Sequence, residues 1–167
     1  MRKLIFLKSI VDFVFFMSFI GLLFGFFLIL FLICSSEPID IPIKINGSTI
    51  IPNSLTEKIA LSCAAVGYCI GVYAFYLFKK LLDNFRKLII FDEVIPKLLK
   101  NICNVLLLIA LTILASELLM MFSKSKVEIN FGYGPFVIVL ALGLFFNVLS
   151  EVFKMGINLR QDNDLTI

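Results

Sequence analysis

The sequence predicts an all-α membrane protein: a four-transmembrane-helix bundle, N-in/C-in, with a small extracytoplasmic β-hairpin cap. Three observations predict it. Of 167 residues, 60% are hydrophobic and only 16% are charged, against roughly 45–50% and 25% in an ordinary soluble domain. The charges fall into short runs between apolar stretches of about twenty residues, the length that crosses a hydrocarbon core roughly 30 Å thick at about 1.5 Å per residue. Lysine and arginine are also shared unevenly between alternate connections.

The first apolar stretch, 10–34, is almost all Phe, Leu, Ile and Val and is long enough to cross with some tilt. It lacks the small-residue cleavage site of a removed signal peptide. The following connection, 35–58, contains "IDIPIKINGSTII", in which Ile39, Ile41, Ile43 and Ile45 alternate before Asn46-Gly47. An Asn-Gly pair tolerates the positive φ of a type I′ turn, so the segment reads as a β-hairpin. Asn46-Gly47-Ser48 also spells a glycosylation sequon, which we read as turn chemistry.

The second apolar stretch, 59–78, carries small residues at Ala60, Ala64, Gly67, Gly71 and Ala74, spaced to share one helix face. Gly21 and Gly25 repeat the theme in the first. Small residues let backbones approach closely where association depends on packing more than on water exclusion. The expected use is packing inside the bundle; the alternative is a homo-oligomer.

The connection 79–101 is amphipathic. The second helix is expected to run past Lys80, the third to begin before the bilayer with Asp92 as its cap and Pro96 in its first turns, and Leu88, Ile89, Ile90 and Phe91 to form the bend. The simpler reading of this elbow is an interfacial segment lying on lipid; the sharper one is a surface for a partner. The third span, 102–122, contains Glu117 near its outer end. Segment "VEINF" (127–131) alternates as a third strand of the outer cap would, and 136–153 is the fourth span.

Orientation comes from eleven of the fifteen Lys and Arg residues: Arg2, Lys3 and Lys8 at the start, Lys79, Lys80, Arg86, Lys87, Lys97 and Lys100 in the middle connection, and Lys154 and Arg160 in the tail. The positive-inside tendency places these in the cytoplasm, so both termini are expected inside and the whole chain forms one integral domain of the inner membrane.

Composition also excludes classes of function. There is no histidine, which removes the commonest acid/base group near neutral pH and His-containing zinc or haem sites. Cys34, Cys63, Cys69 and Cys103 include no C-x-x-C pair; Cys34 and Cys63 are placed where a disulfide is conceivable, but small buried apolar roles are the simpler reading. A net charge of +3 without a dense basic tract argues against direct nucleic-acid binding. No enzymatic activity and no cofactor or metal are expected.

Intramembrane carboxylates are candidate sites by default. Glu117, with Ser116 and Thr112 nearby in sequence, is either a proton or cation ligand or a side chain reaching the outer cap. Asp12, Asn147, Ser150 and Glu151 all fall near the inner boundary, where they are expected to form a polar cluster with Lys8 or Lys154. A structural network is the simpler reading, because Glu117 lies near the opposite boundary.

The ending of the chain, with Phe153, Gly156, Leu159 and then Asp164-Leu165-Thr166-Ile167, resembles the close of a bacterial four-span family known as domain of unknown function 2975. The Lys-rich exit from the second span, the bend at Phe91 and the leucine-rich entry to the third are similar too. The resemblance implies an integral membrane protein without established enzymatic activity and, as partner, a cytoplasmic helix-turn-helix regulator; it supplies no catalytic residues. From the residues themselves, Gly156 is expected to end the fourth helix. Leu159, Leu165 and Ile167 are then expected to dock on the elbow or lipid, with Arg160, Asp162 and Asp164 facing water. The functional expectation is an accessory or regulatory membrane protein acting through its inner loop and tail, against a small oligomeric transporter using Glu117.

Overall fold

A computed structural model describes residues 2–34, 43–45, 48–50, 54–89, 91–123 and 134–164. The elements run α1 (Arg2–Cys34), β1 (Ile43–Ile45), β2 (Ser48–Ile50), α2 (Leu55–Arg86), α3 (Val94–Ser123) and α4 (Pro135–Asp164). All four helices are long and apolar enough to cross a membrane. At 30 to 33 residues each, they reach roughly 45–50 Å and must project beyond a core about 30 Å thick. The polar ends of the helices are those projections.

Consecutive helices pack together: α1 on α2, α2 on α3 and α3 on α4. Helix α3 is the most enclosed and α1 the least. Leu77 and Leu81 of α2 meet Ile95, Leu98, Leu99 and Ile102 of α3, and the rings of Phe78 with Phe146 and Phe85 with Phe153 carry α2 across to α4. A well-buried part of the interior, around Leu81, Leu82, Ile95, Leu99 and Ile157, lies on the Lys-rich projections. Water exclusion therefore drives its assembly there, as it cannot between helices surrounded by lipid. Helix α1 is apolar on every side and turns Phe6, Phe13, Phe24 and Phe27 outward, as a lipid-facing helix does.

The helix ends have local causes. Ser54 and Glu57 form a capping box at the start of α2: the Glu57 N–H donates to Ser54 Oγ (3.2 Å) and the Ser54 N–H to Glu57 Oε2 (2.9 Å). At the other end Leu88 has φ of 59°. The Leu88 N–H donates to the Phe85 carbonyl and the Ile89 N–H to that of Asn84, both at 3.1 Å. This is the Schellman closure with leucine at the left-handed position usually held by glycine. Asp92 then caps α3, its Oδ1 accepting from the Val94 N–H at 3.0 Å. The expected elbow is present, and both of its helices extend outside the apolar stretches.

The expected end of α4 at Gly156 is corrected. The helix continues to Asp164, because Ile157, one residue on, is buried and Arg160 reaches back over the Phe91 ring, 5.3 Å from its centroid. One interior glycine costs a helix only about 1 kcal/mol relative to alanine. Leu159 does not dock on the elbow: it is 70% exposed. Strands β1 and β2 pair antiparallel with Lys44 opposite Thr49. The expected turn at 46–47, the third strand at 127–131, Leu165 and Ile167 lie outside the described residues.

Candidate functional site

Two polar assemblies occupy the Lys-rich end. The first joins α1 to α2. Lys8 and Asp12 are four residues apart on α1, Lys79 and Asp83 four apart on α2, and each pair projects along one face. Because the helices pack side by side, the charges meet crosswise: Lys8 with Asp83, and Lys79 Nζ with Asp12 Oδ1 at 3.1 Å. The ammonium of Lys79 also lies over the Phe15 ring, 5.4 Å from its centroid. Six residues further along α1 from Asp12, the Tyr68 hydroxyl donates to the Ser18 carbonyl at 3.0 Å, where Gly21 leaves room for the ring oxygen. These contacts compensate for the scant packing of α1.

The second assembly is a cleft of about 300 Å³ between the start of α3 and the end of α4, lined by Lys97, Lys100, Glu151, Lys154, Asn158 and Gln161. Its floor is closed by the buried Ser150 hydroxyl, which donates to the Pro96 carbonyl at 2.8 Å. Lys97 reaches Glu93 at 2.9 Å, whereas Lys100 and Lys154 have no ion-pair partner among the described residues.

The expected cluster of Asp12, Asn147, Ser150 and Glu151 is thus divided, with Ser150 and Glu151 together in the α3–α4 cleft. Asp12 belongs to the α1–α2 pairs, and its lysine is Lys79, while Lys8 goes to Asp83. Glu151 lines the α3–α4 cleft beside Lys154. Asn147 is half-buried on α4 and Glu117 half-buried on α3. Near Glu117, the Thr112 and Ser116 hydroxyls donate to carbonyls of their own helix, Ile109 and Ile113, both at 2.8 Å. They line a largely apolar cavity of about 410 Å³ among α1, α2 and α3; Glu117 is not in its wall. Among the described residues, no group of Cys, Asp and Glu is arranged to hold a metal.

The small residues divide in use. Ala60 is fully buried. A Cβ at Gly67 would lie 2.7 Å from Thr112 Oγ1, so α3 packs on α2 there with no room for a side chain. Gly71 opens on the cavity, and neither Gly71 nor Gly25 has a neighbour that an added Cβ would meet. Ala64 also lines the cavity and Ala74 packs against the core. Cys63 is a free thiol directed at the Thr112 carbonyl, 3.7 Å away, and not half of a disulfide.

Sequence reasoning missed Lys79 and Asp83 as the partners of α1; the matching four-residue spacings were the available signal. It also missed Gly143, where a Cβ would stand 3.3 Å from Leu106 Cβ.

Fold and site together define a helical membrane protein in contact with lipid, with four helices able to span and two polar assemblies at its Lys-rich end. The family model described as "Protein of unknown function (DUF2975)" matches residues 10–167, and the chain belongs to that family. No curated protein and no solved structure matches it significantly.

Proposed function

We propose that the chain is a non-enzymatic accessory or regulatory protein of the cytoplasmic membrane, with both termini and the α2–α3 elbow in the cytoplasm and the β1–β2 pair on the outer side. The Lys and Arg distribution supports the orientation. One observation carries the functional reading: Arg160 of α4 seats on Phe91 of the elbow, which joins inner loop and tail into a single surface. Exposed Leu88, Ile89, Phe91 and Val94 give that surface an apolar centre, and Leu88 holds its place in a backbone conformation that disfavours it. A helix-turn-helix regulator is the partner class the family resemblance suggests. Photo-crosslinkers at Arg86 and Asn158 in membranes are expected to capture the same cytoplasmic protein; capture of lipid alone at both positions overturns the reading.

A second reading, an oligomeric ion-coupled carrier, draws on Glu117, a half-buried carboxylate with no partner among the described residues. It requires that Glu117→Gln abolish a measurable flux.

A further inference from the structure

We propose that the cleft between the start of α3 and the end of α4 is a binding site for the phosphate headgroup of an anionic phospholipid. Depth is the first argument. Lys100 is two residues before the apolar run of α3 begins at Ile102, and Lys154 directly follows Phe153, where that of α4 ends. At about 1.5 Å per residue, the backbones of both lysines lie within roughly 3 Å of the hydrocarbon boundary, and that of Lys97 within roughly 8 Å. The polar zone of a leaflet is itself about 5–8 Å deep. The cleft is therefore level with lipid phosphates.

Its chemistry is the second argument. Lys97, Lys100 and Lys154 converge from two helices, and Asn158 and Gln161 add amide donors on the side away from the bilayer. Of the acidic groups, Glu93 is occupied by Lys97, which leaves Glu151 against Lys100 and Lys154. A single negative charge cannot match two lysines, and a phosphodiester supplies the missing one. Basic clefts between membrane helices at this level suit anionic headgroups. At about 300 Å³ the cleft is at the small end of ligand sites, so it takes a headgroup while the acyl chains stay outside. Leu108, Leu111, Leu144 and Val148, exposed on the same two helices further into the bilayer, offer those chains an apolar wall.

The site is also built. Ser150 Oγ fixes α4 to the Pro96 carbonyl beneath it, and buried Ile157 and Leu99 hold the two helices on either side. The lysines thus project from a rigid floor. The inference stands on the cleft's own chemistry and does not need the partner surface.

The test is native mass spectrometry of the full chain in a neutral detergent, with phosphatidylglycerol, phosphatidylethanolamine or inorganic phosphate added at equal concentration. Retention of phosphatidylglycerol over phosphatidylethanolamine by at least fivefold is expected. Lys100→Gln/Lys154→Gln should reduce that preference to less than twofold, while Lys80→Gln/Lys87→Gln, which removes the same charge outside the cleft, should leave it unchanged. An equal loss in both double variants overturns the site in favour of diffuse attraction. Suppression of lipid binding by millimolar phosphate assigns the cleft to a free anion and overturns the lipid. A soluble acidic peptide that binds while no lipid is preferred does the same. The single variants Lys100→Arg and Lys154→Arg, which keep the charge, should retain the preference and so separate a binding defect from misfolding.

Discussion

Asp12 of α1 and Lys79 of α2 are 3.1 Å apart, each only about one-third exposed at 37% and 35% of its side chain, and one helical turn away Lys8 and Asp83 repeat the pairing with the signs exchanged. The reversal fixes both register and direction. Sliding α1 by one turn brings like charges together, and a wrong register costs more than the loss of one pair.

Asp12→Asn should accordingly destabilise the protein by roughly 1–3 kcal/mol, between the small worth of a surface pair and the larger cost of leaving a buried charge alone. The fourfold exchange Lys8→Asp/Asp12→Lys/Lys79→Asp/Asp83→Lys should keep more than half of what Asp12→Asn loses, because it reverses every sign while leaving both cross-helix pairs and both i,i+4 pairs opposite in charge. Unfolding midpoints in a mixed-detergent titration measure both; a fourfold variant no more stable than Asp12→Asn would mean that the pair contributes through packing alone.

The two glycines of α2 should respond oppositely. Gly67→Ala places a Cβ 2.7 Å from Thr112 Oγ1, and that hydroxyl is tied to the Ile109 carbonyl, so overpacking of about 1–3 kcal/mol is expected. Thr112→Ala in the same chain should relieve most of it. Gly71→Ala meets nothing within 4 Å and should stabilise, by up to about 1 kcal/mol from helix propensity. The same detergent titration distinguishes them.

Leu88→Gly should raise stability by about 1 kcal/mol, since glycine adopts the left-handed conformation at φ of 59° without the leucine's steric penalty. If the elbow is the partner surface, the same substitution should weaken capture of the cytoplasmic partner from Arg86. A variant that gains stability while losing partner capture would show what the leucine is kept for.

How far these features were legible in the sequence depends on the range of the interaction that makes them. The four helices, the Asp92 cap and the elbow follow from hydropathy and local chemistry, so they could be read directly. The capping box at Ser54 and Glu57 was equally local and was overlooked. Leu88 was hidden because a Schellman closure is expected at glycine, and the chain uses leucine. The continuation of α4 through Gly156 depends on Ile157 and on Phe91 from another helix. Asp12 was visible as an intramembrane charge, but its partner was not, since the pairing is decided by how α1 lies along α2.

Topology can be checked with single cysteines in a chain lacking its native four. Lys87 and Asn158 are exposed at the Lys-rich end of the structure, and the start of α2 near Leu55 is exposed at the other. With both termini inside, a membrane-impermeant maleimide added to intact cells should label Leu55→Cys and spare Lys87→Cys and Asn158→Cys until the membrane is opened. Because Lys87 and Asn158 lie on different helices, their shared protection would show that α2 and α4 deliver their ends to the same side. Labelling of Asn158→Cys in sealed cells would invert α4 and detach Arg160 from Phe91. The united cytoplasmic surface could not then exist in the membrane.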